Sequence, residues 1–205
     1  WLWQLFGWIN DEGIRRFRTT LLSVPKKSSK TTTTAAVCLY LLRCDGEVRP
    51  NINLMAVDQS QASILFTEAA EFIAASPELA REFEVSEFYK TIRCPKTRGI
   101  INTCSAEIDA REGGNQSAIV VDELALWTGK RRRAWDVTSG SGAARRQPIR
   151  IAISTAGTER QSIMFELVQH HWAIMDGEVI DTRFLGMVWG PRPGEEIDPH
   201  DEETW

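Results

Sequence analysis

The sequence predicts an α/β fold, a mostly parallel sheet held as the middle of three layers, and three observations carry that prediction. Short, almost wholly apolar runs at residues 52–57, 118–121 and 149–153 have the length and continuous hydrophobicity of strands buried on both faces. Longer segments with apolar residues at helical spacing lie between them, most clearly residues 62–75. The two kinds alternate along the chain, and alternation favours parallel pairing through right-handed crossovers. With 205 residues, 42% of them hydrophobic, the chain can bury one sizeable core, and one domain is the default.

Taken in order, residues 1–9 are apolar and aromatic with Gln4 as an exception, and suit a short helix that ends before Asp11-Glu12-Gly13. Residues 17–24 suit a strand, which Pro25 stops because proline cannot donate to a ladder. Residues 31–43 turn from threonine-rich to apolar on nearly every side, as a helix pressed against a sheet requires. After the strand at 52–57, Asp58-Gln59-Ser60 opens a helix whose Ile64, Leu65, Ala69, Phe72 and Ile73 recur on one face. Ser76-Pro77 ends it, and residues 78–83 form a further helical turn. Residues 88–92 and 99–104 read as two strands joined across Pro95, an insert carrying Lys90, Arg93, Lys96 and Arg98 without an acid among them.

A strand at residues 118–123 ends in Asp122 and Glu123. Residues 124–150 then hold Lys130, Arg131, Arg132, Arg133, Arg145, Arg146 and Arg150 against Asp136 alone, a local charge of +6, with Ser139-Gly140-Ser141-Gly142 as a flexible turn. A strand at 149–153, a helix at 162–175 and a strand at 179–188 complete the fold. Residues 190–205 are acidic and proline-rich, and read as a solvated linker.

The formal net charge of -4 and the pI near 5.5 rule out a uniformly basic nucleic-acid coat, so any contact with DNA has to come from local patches. Cys38, Cys44, Cys94 and Cys104 form no C-x-x-C pair, and reduced, buried thiols in a cytosolic protein are expected. No apolar run approaches the roughly 18–20 residues of a membrane helix, and a soluble protein without membrane contact is expected. Both ends of the chain look cut.

The chemistry starts at Val24-Pro25-Lys26-Lys27-Ser28-Ser29-Lys30-Thr31. In the pattern G-x-x-x-x-G-K-[ST], backbone N–H groups cradle phosphates, the lysine reaches the β/γ-phosphates and the hydroxyl ligates Mg²⁺. Lys30 and Thr31 fit that pattern, while Val24 and Ser29 stand where the glycines belong; a basic polar turn is the other reading. Asp122 and Glu123 arrive at the carboxyl end of a strand, where one carboxylate can hold Mg²⁺ and its neighbour can polarise an attacking water. As an isolated pair they equally suit a helix cap. The two elements together, about 90 residues apart and in the expected order, favour a nucleotide site. Ser154 and Thr155 end the next strand, where hydroxyls either sense a γ-phosphate or cap the following turn. Arg111, just ahead of the Asp122 strand, is a candidate arginine finger reaching a neighbouring subunit, or an ordinary surface arginine.

These residues, together with Trp3-Gln4, Phe6-Gly7-Trp8, Arg15-Arg16-Phe17-Arg18, Asp58-Gln59-Ser60-Gln61-Ala62 and Ser154-Thr155-Ala156-Gly157, resemble the ATPase domain of the large terminase subunit of tailed bacteriophages. The resemblance covers essentially the whole chain, and its specificity lies in the set. It implies a P-loop NTPase core of the RecA-like (ASCE) type, whose phosphate loop characteristically carries a basic residue where Lys26 stands. Ser29 departs from the common pattern. The resemblance further implies that Gln4 contacts adenine and that Lys26, Lys27, Ser28, Ser29, Lys30, Thr31 and Thr32 surround the phosphates of ATP. Thr31 and Asp122 would hold Mg²⁺, Lys30, Asp122 and Glu123 would be catalytic, and Ser154, Thr155 and Ala156 would couple hydrolysis to movement.

Double-stranded DNA, a portal protein, a small terminase subunit and further copies of the chain in a ring are the implied partners. The host cytoplasm, docked on a procapsid, is the implied location. Arg93, Lys96 and Arg98, and Lys130, Arg131, Arg132 and Arg133, are the candidate DNA contacts, because neutralising phosphates tracks a duplex without reading it. On this reading residues 1–189 are the motor domain and residues 190–205 lead toward a carboxy-terminal nuclease absent from the chain. A helicase-type ATPase and a catalytically degenerate DNA-binding or assembly module remain as alternatives.

Overall fold

Alternation along the central strands divides the core in two. In the computed structural model, which describes residues 1–105, 115–157, 159–192 and 194–195, Leu22, Leu54, Val120, Ile151 and Ile153 point to one face of the sheet. Leu21, Met55, Ile119, Val121 and Ala152 point to the other. Both sets are buried, so both faces need a helical cover, and each full burial of a Leu, Ile or Val contributes about 1.5–3 kcal/mol.

The described strands are β1 (Thr19–Ser23), β2 (Asn51–Ala56), β3 (Glu84–Ser86), β4 (Thr91–Cys94), β5 (Gly99–Ser105), β6 (Ala118–Asp122), β7 (Ile149–Ser154) and β8 (Phe184–Val188). They form one sheet in the order β3-β4-β5-β2-β6-β7-β1-β8. Pairing is parallel from β5 through β8, and antiparallel only at β3-β4 and β4-β5. The helices are α1 (Leu2–Gly7), α2 (Lys30–Arg43), α3 (Gln59–Ala75), α4 (Pro77–Glu82), α5 (Lys130–Thr138) and α6 (Ile163–Met175). Helices α2 and α3 cover one face; α5, α6 and a 3₁₀ turn, Leu124–Leu126, supply the buried side chains over the other. This is the three-layer α/β architecture expected from the alternation.

Local chemistry sets the helix boundaries. Asp58 accepts from the Gln61 N–H, Ser76 from that of Leu79 and Ser162 from that of Phe165, each a side-chain N-cap, with Pro77 at a position that needs no N–H.

Several expectations need correction. The strand expected at 88–92 begins at Thr91, with Phe88, Tyr89 and Lys90 in the turn that leads from β3, a short edge strand not foreseen. Residues 179–182 are not strand, and β8 starts at Phe184. Helix α5 lies in the basic stretch to which the sequence assigned no element, and Ala134, Trp135 and Thr138 make a buried stripe beneath its arginines. Cys38, Cys94 and Cys104 are buried free thiols, but Cys44 is exposed. No helix among the described residues is long and apolar enough to cross a membrane.

The parallel register places the carboxyl ends of β1, β6 and β7 at one rim and their amino ends at the other. The amino rim is tied by Arg15, which is 4% exposed and donates to both carboxylate oxygens of Asp45 at 2.7 and 3.3 Å. Burial pushes the Asp45 carboxyl above its usual range, with the Arg15 guanidinium pulling the other way. Gln147 joins this network by donating its N–H to Glu47 Oε1 at 2.6 Å.

Candidate active site

At the carboxyl rim, β1 runs into Val24, whose N–H donates to the Ser154 carbonyl at 3.2 Å, so the loop starts fastened to β7. The chain turns at Pro25, where the Ser28 hydroxyl donates to the Pro25 carbonyl at 2.7 Å. Ser29 then adopts φ 55° and ψ 26°, and Lys27 has φ 67°. Ser29 therefore takes the left-handed conformation that glycine adopts at little cost, at about 1–2 kcal/mol for an L-residue. Its side chain makes no cap bond and α2 has no acid in its first turn. The first N–H groups of a long helix thus face the loop without a side-chain acceptor, and the macrodipole adds to their affinity for an anion.

The acids come from β6. Asp122 is 6% exposed and accepts the Glu123 N–H at 2.8 Å. Burial pushes its carboxyl above the usual range, opposed by the nearby Lys30 ammonium. Glu123 has φ 50° and ψ 49°, a left-handed turn that leads straight into the 3₁₀ segment and swings its side chain away from the strand's alternation. Lys30 Nζ donates to Glu123 Oε1 at 2.6 Å and lies 3.8 Å from Asp122 Oδ1.

Strand β7 closes the cluster. The Thr155 hydroxyl donates to Glu123 Oε2 at 3.4 Å, and Ser154 Oγ accepts the Ala125 N–H at 3.1 Å. Two residues of β7's end therefore hold the segment that carries Glu123. Gly157 packs so close that a Cβ there would lie 2.7 Å from Ala125 Cβ, so any side chain would push the Glu123 segment off the strand end. Asp122 and Thr31 offer a carboxylate and a hydroxyl, hard oxygen donors that suit Mg²⁺, an ion that keeps waters and phosphate oxygens as its other ligands. Among the described residues there is no group of three or more acids, histidines or cysteines placed to hold a metal ion by themselves.

Beside the loop opens a cavity of about 680 Å³ lined by Trp1, Trp3, Val24, Pro25, Met187 and Trp189, with Lys30, Ser28 and Thr33 at its polar side. Its apolar walls and adjoining phosphate loop have the makings of a nucleoside site. Gln4 sits on the same α1 helix but does not line this cavity. Sequence reasoning missed Trp1, Met187 and Trp189; the available signal was the tryptophans near both ends of the chain, which β8 beside β1 brings together.

The remaining candidates scatter. Lys26 and Lys27 are exposed on the loop. Thr32 donates to Glu68 on α3 at 3.2 Å, and Thr33 takes the place facing the cavity. Arg111 lies outside the described residues. Arg93, Lys96 and Arg98 are exposed around the β4-β5 turn, at the amino rim. Lys130 opens α5 past the carboxyl end of β6, and in that helix Arg132 is paired with Glu166 at 2.6 Å while Arg133 is exposed. The two basic patches thus lie at opposite ends of the sheet and do not form one continuous groove.

Comparison with solved structures returns the same fold. The large terminase of bacteriophage HK97 superposes with a TM-score of 0.80 at 20% identity, covering 100% of this chain and 40% of that one. The large terminase of a thermophilic bacteriophage, solved in complex with ATP-gamma-S, matches with a TM-score of 0.59 at 10% identity, over 91% of this chain and 43% of that one. The chain therefore spans less than half of either protein. No curated protein matches it in sequence. Over residues 2–172, however, the sequence matches the family described as terminase large subunit, ATPase domain. That match covers most of the chain and agrees with the P-loop, ASCE-type order of its strands, and the chain belongs to the terminase large-subunit ATPase family.

Proposed function

We propose that this domain binds ATP with Mg²⁺ and hydrolyses it to move double-stranded DNA, as the motor part of a phage large terminase that fills a procapsid. The observation that carries the proposal is the chain of contacts Lys30–Glu123–Thr155, which joins the phosphate loop, the acid-bearing strand end and the neighbouring β7 end. Lys30 is held by Glu123. An incoming triphosphate competes for the ammonium, the loop and α2 N–H groups take the phosphate oxygens, and Glu123 is released to accept the proton of an attacking water. Asp122 and Thr31 are the residues that would hold Mg²⁺, and the chemistry it would supply there is neutralisation of charge on the transferred phosphoryl group. Thr155 shares Glu123, and Ser154 holds the Ala125 backbone, so a change in Glu123 on phosphate loss is passed to β7 and the helix after it.

The finer parts of the reading rest on family membership. Residues 1–189 are the motor domain, and residues 190–205 lead toward a nuclease domain. Copies of the chain assemble as a ring, with Arg111 as the candidate finger across subunits, docked on a portal in the host cytoplasm and loaded by a small terminase subunit. Arg93, Lys96 and Arg98, or Lys130, Arg131, Arg132 and Arg133, are the candidate duplex contacts, and the two groups lie at opposite rims of the sheet.

Phosphate release measured with and without duplex DNA, for the domain and for Lys30→Ala, tests the proposal. Turnover that requires Lys30 and rises with duplex, together with nuclease-protected DNA in procapsids, is expected. Turnover unchanged in Lys30→Ala contradicts ATP hydrolysis at this site; strand separation in place of protection points to a helicase.

A further inference from the structure

The amino rim carries a second cavity, of about 340 Å³, whose lining includes Arg18, Arg150, Arg183, Gln116 and Ser139 and, among the described residues, no acid. Arg18 Nη2 donates to the Arg146 carbonyl at 3.1 Å, but its Nη1 is buried without a hydrogen-bond partner. Arg150 lies over the Trp135 ring at 4.6 Å and donates to the Thr19 hydroxyl at 3.1 Å. Neither Arg150 nor Arg183 pairs with an acid among the described residues. The Gln116 side-chain oxygen is buried and unpartnered as well.

Two of the neighbouring acids among the described residues are already committed. Asp45 is bound to Arg15, and Glu47 accepts from Gln147 and lies 3.9 Å from Arg145. Arg145 also donates to the carbonyls of Asn115 and Val48, so it is a structural clamp at the edge of the cavity and not a free cation. Burial and the adjacent Arg15 and Arg183 push the Arg18 guanidinium down from its ordinary value, and burial does the same to Arg150, with Asp136 opposing it. Unpaired buried donors are expensive to keep, and like charges gathered without a counter-ion add to that cost.

We infer that this cavity is an oxyanion site that takes a phosphate group, with Arg18, Arg150 and Arg183 as its ligands. Three guanidiniums without carboxylate partners among the described residues offer several planar forks, which suit the multiple oxygens of a phosphate group better than the two of a single carboxylate. The site is distinct from the nucleotide loop: β1 and β7 separate the two rims by about 16 Å, at ~3.3 Å for each of five residues. The phosphate comes either as free orthophosphate, which hydrolysis at the other rim would release, or as a phosphodiester of bound nucleic acid.

The test uses the Lys30→Ala chain, in which the loop has lost its lysine, with radiolabelled orthophosphate in equilibrium dialysis and a labelled duplex in anisotropy titrations. One phosphate retained per chain is expected, weakened at least about tenfold by Arg150→Gln and by the exposed Arg183→Gln, the loss of one charged hydrogen bond or more. The Arg183→Gln change touches no buried contact, and circular dichroism reports whether the Arg150→Gln chain is folded. Displacement of the phosphate by duplex, with duplex affinity falling in the same variants, assigns the site to the nucleic-acid backbone; phosphate retained against duplex assigns it to the free anion. If neither probe distinguishes the parent from the two folded variants, the oxyanion site does not exist.

Discussion

Replacing Glu123 by glutamine separates two roles that the geometry gives one side chain. Lys30 Nζ is 2.6 Å from Glu123 Oε1, with the two side chains 13% and 29% exposed. A hydrogen bond between charged partners is worth about 1.5–3 kcal/mol when well shielded. Partial exposure screens this pair, and the glutamine carbonyl still accepts a weaker bond, so roughly 1 kcal/mol of competition is removed. Because a tenfold change in affinity corresponds to about 1.4 kcal/mol, Glu123→Gln should bind ATP about fivefold more tightly. ADP should gain as well, since the freed lysine also reaches the β-phosphate; simple relief of repulsion from the γ-phosphate would favour ATP alone. Hydrolysis should fall by about 10²- to 10⁴-fold for loss of the base. Titration of a fluorescent nucleotide and a phosphate-release assay read the two effects. Unchanged affinity for both nucleotides would refute the competition between Glu123 and phosphate for Lys30, and undiminished turnover would refute Glu123 as the base.

Three further substitutions follow from the same geometry. Asp122→Asn should raise the thermal stability of the nucleotide-free domain at neutral pH while abolishing Mg²⁺-dependent turnover. The sign follows from a folded-state pKa raised by burial: the wild type loses stability as pH climbs through that value, so the variant's advantage should vanish below the ordinary aspartate range, and a pH series of melting curves checks it. Ser29→Gly should stabilise the domain by up to about 1 kcal/mol, by relieving the left-handed serine at some cost in unfolded-state entropy, and should preserve turnover; denaturant melts showing a clear loss would contradict the strain. Arg15→Ala leaves the buried Asp45 without its partner and should cost about 3–5 kcal/mol in denaturant midpoints, with nucleotide affinity per folded molecule little changed because the pair sits at the opposite rim.

The elements that the sequence disclosed are those that obey a single local rule. Strands β2, β6 and β7 were legible because burial on both faces demands unbroken hydrophobicity, and α3 because its covering face repeats at helical spacing. Helix α5 was not, since four successive basic residues mask a buried stripe that only Ala134, Trp135 and Thr138 supply. At the candidate site, Lys30, Asp122 and Glu123, which the structure brings together, were singled out by their order along the chain, because a motif records what one segment must offer a phosphate or a metal. The contact of Lys30 with Glu123 could not, as it depends on the left-handed turn at Glu123 and on a partner 93 positions away. The Trp1–Trp189 cavity and the Arg18–Arg150 cluster are likewise products of strand order, which places β1 between β7 and β8.

Calorimetric titration of ATP into the domain with Mg²⁺, repeated for Lys30→Ala, tests the central claim most directly, because it asks for a phosphate site without requiring a ring or DNA. One nucleotide per chain, bound in an Mg²⁺-dependent manner and lost in the variant, is the predicted result. Equal heats from the domain and the variant, or none from either, would contradict a nucleotide site built on Lys30, Asp122 and Glu123.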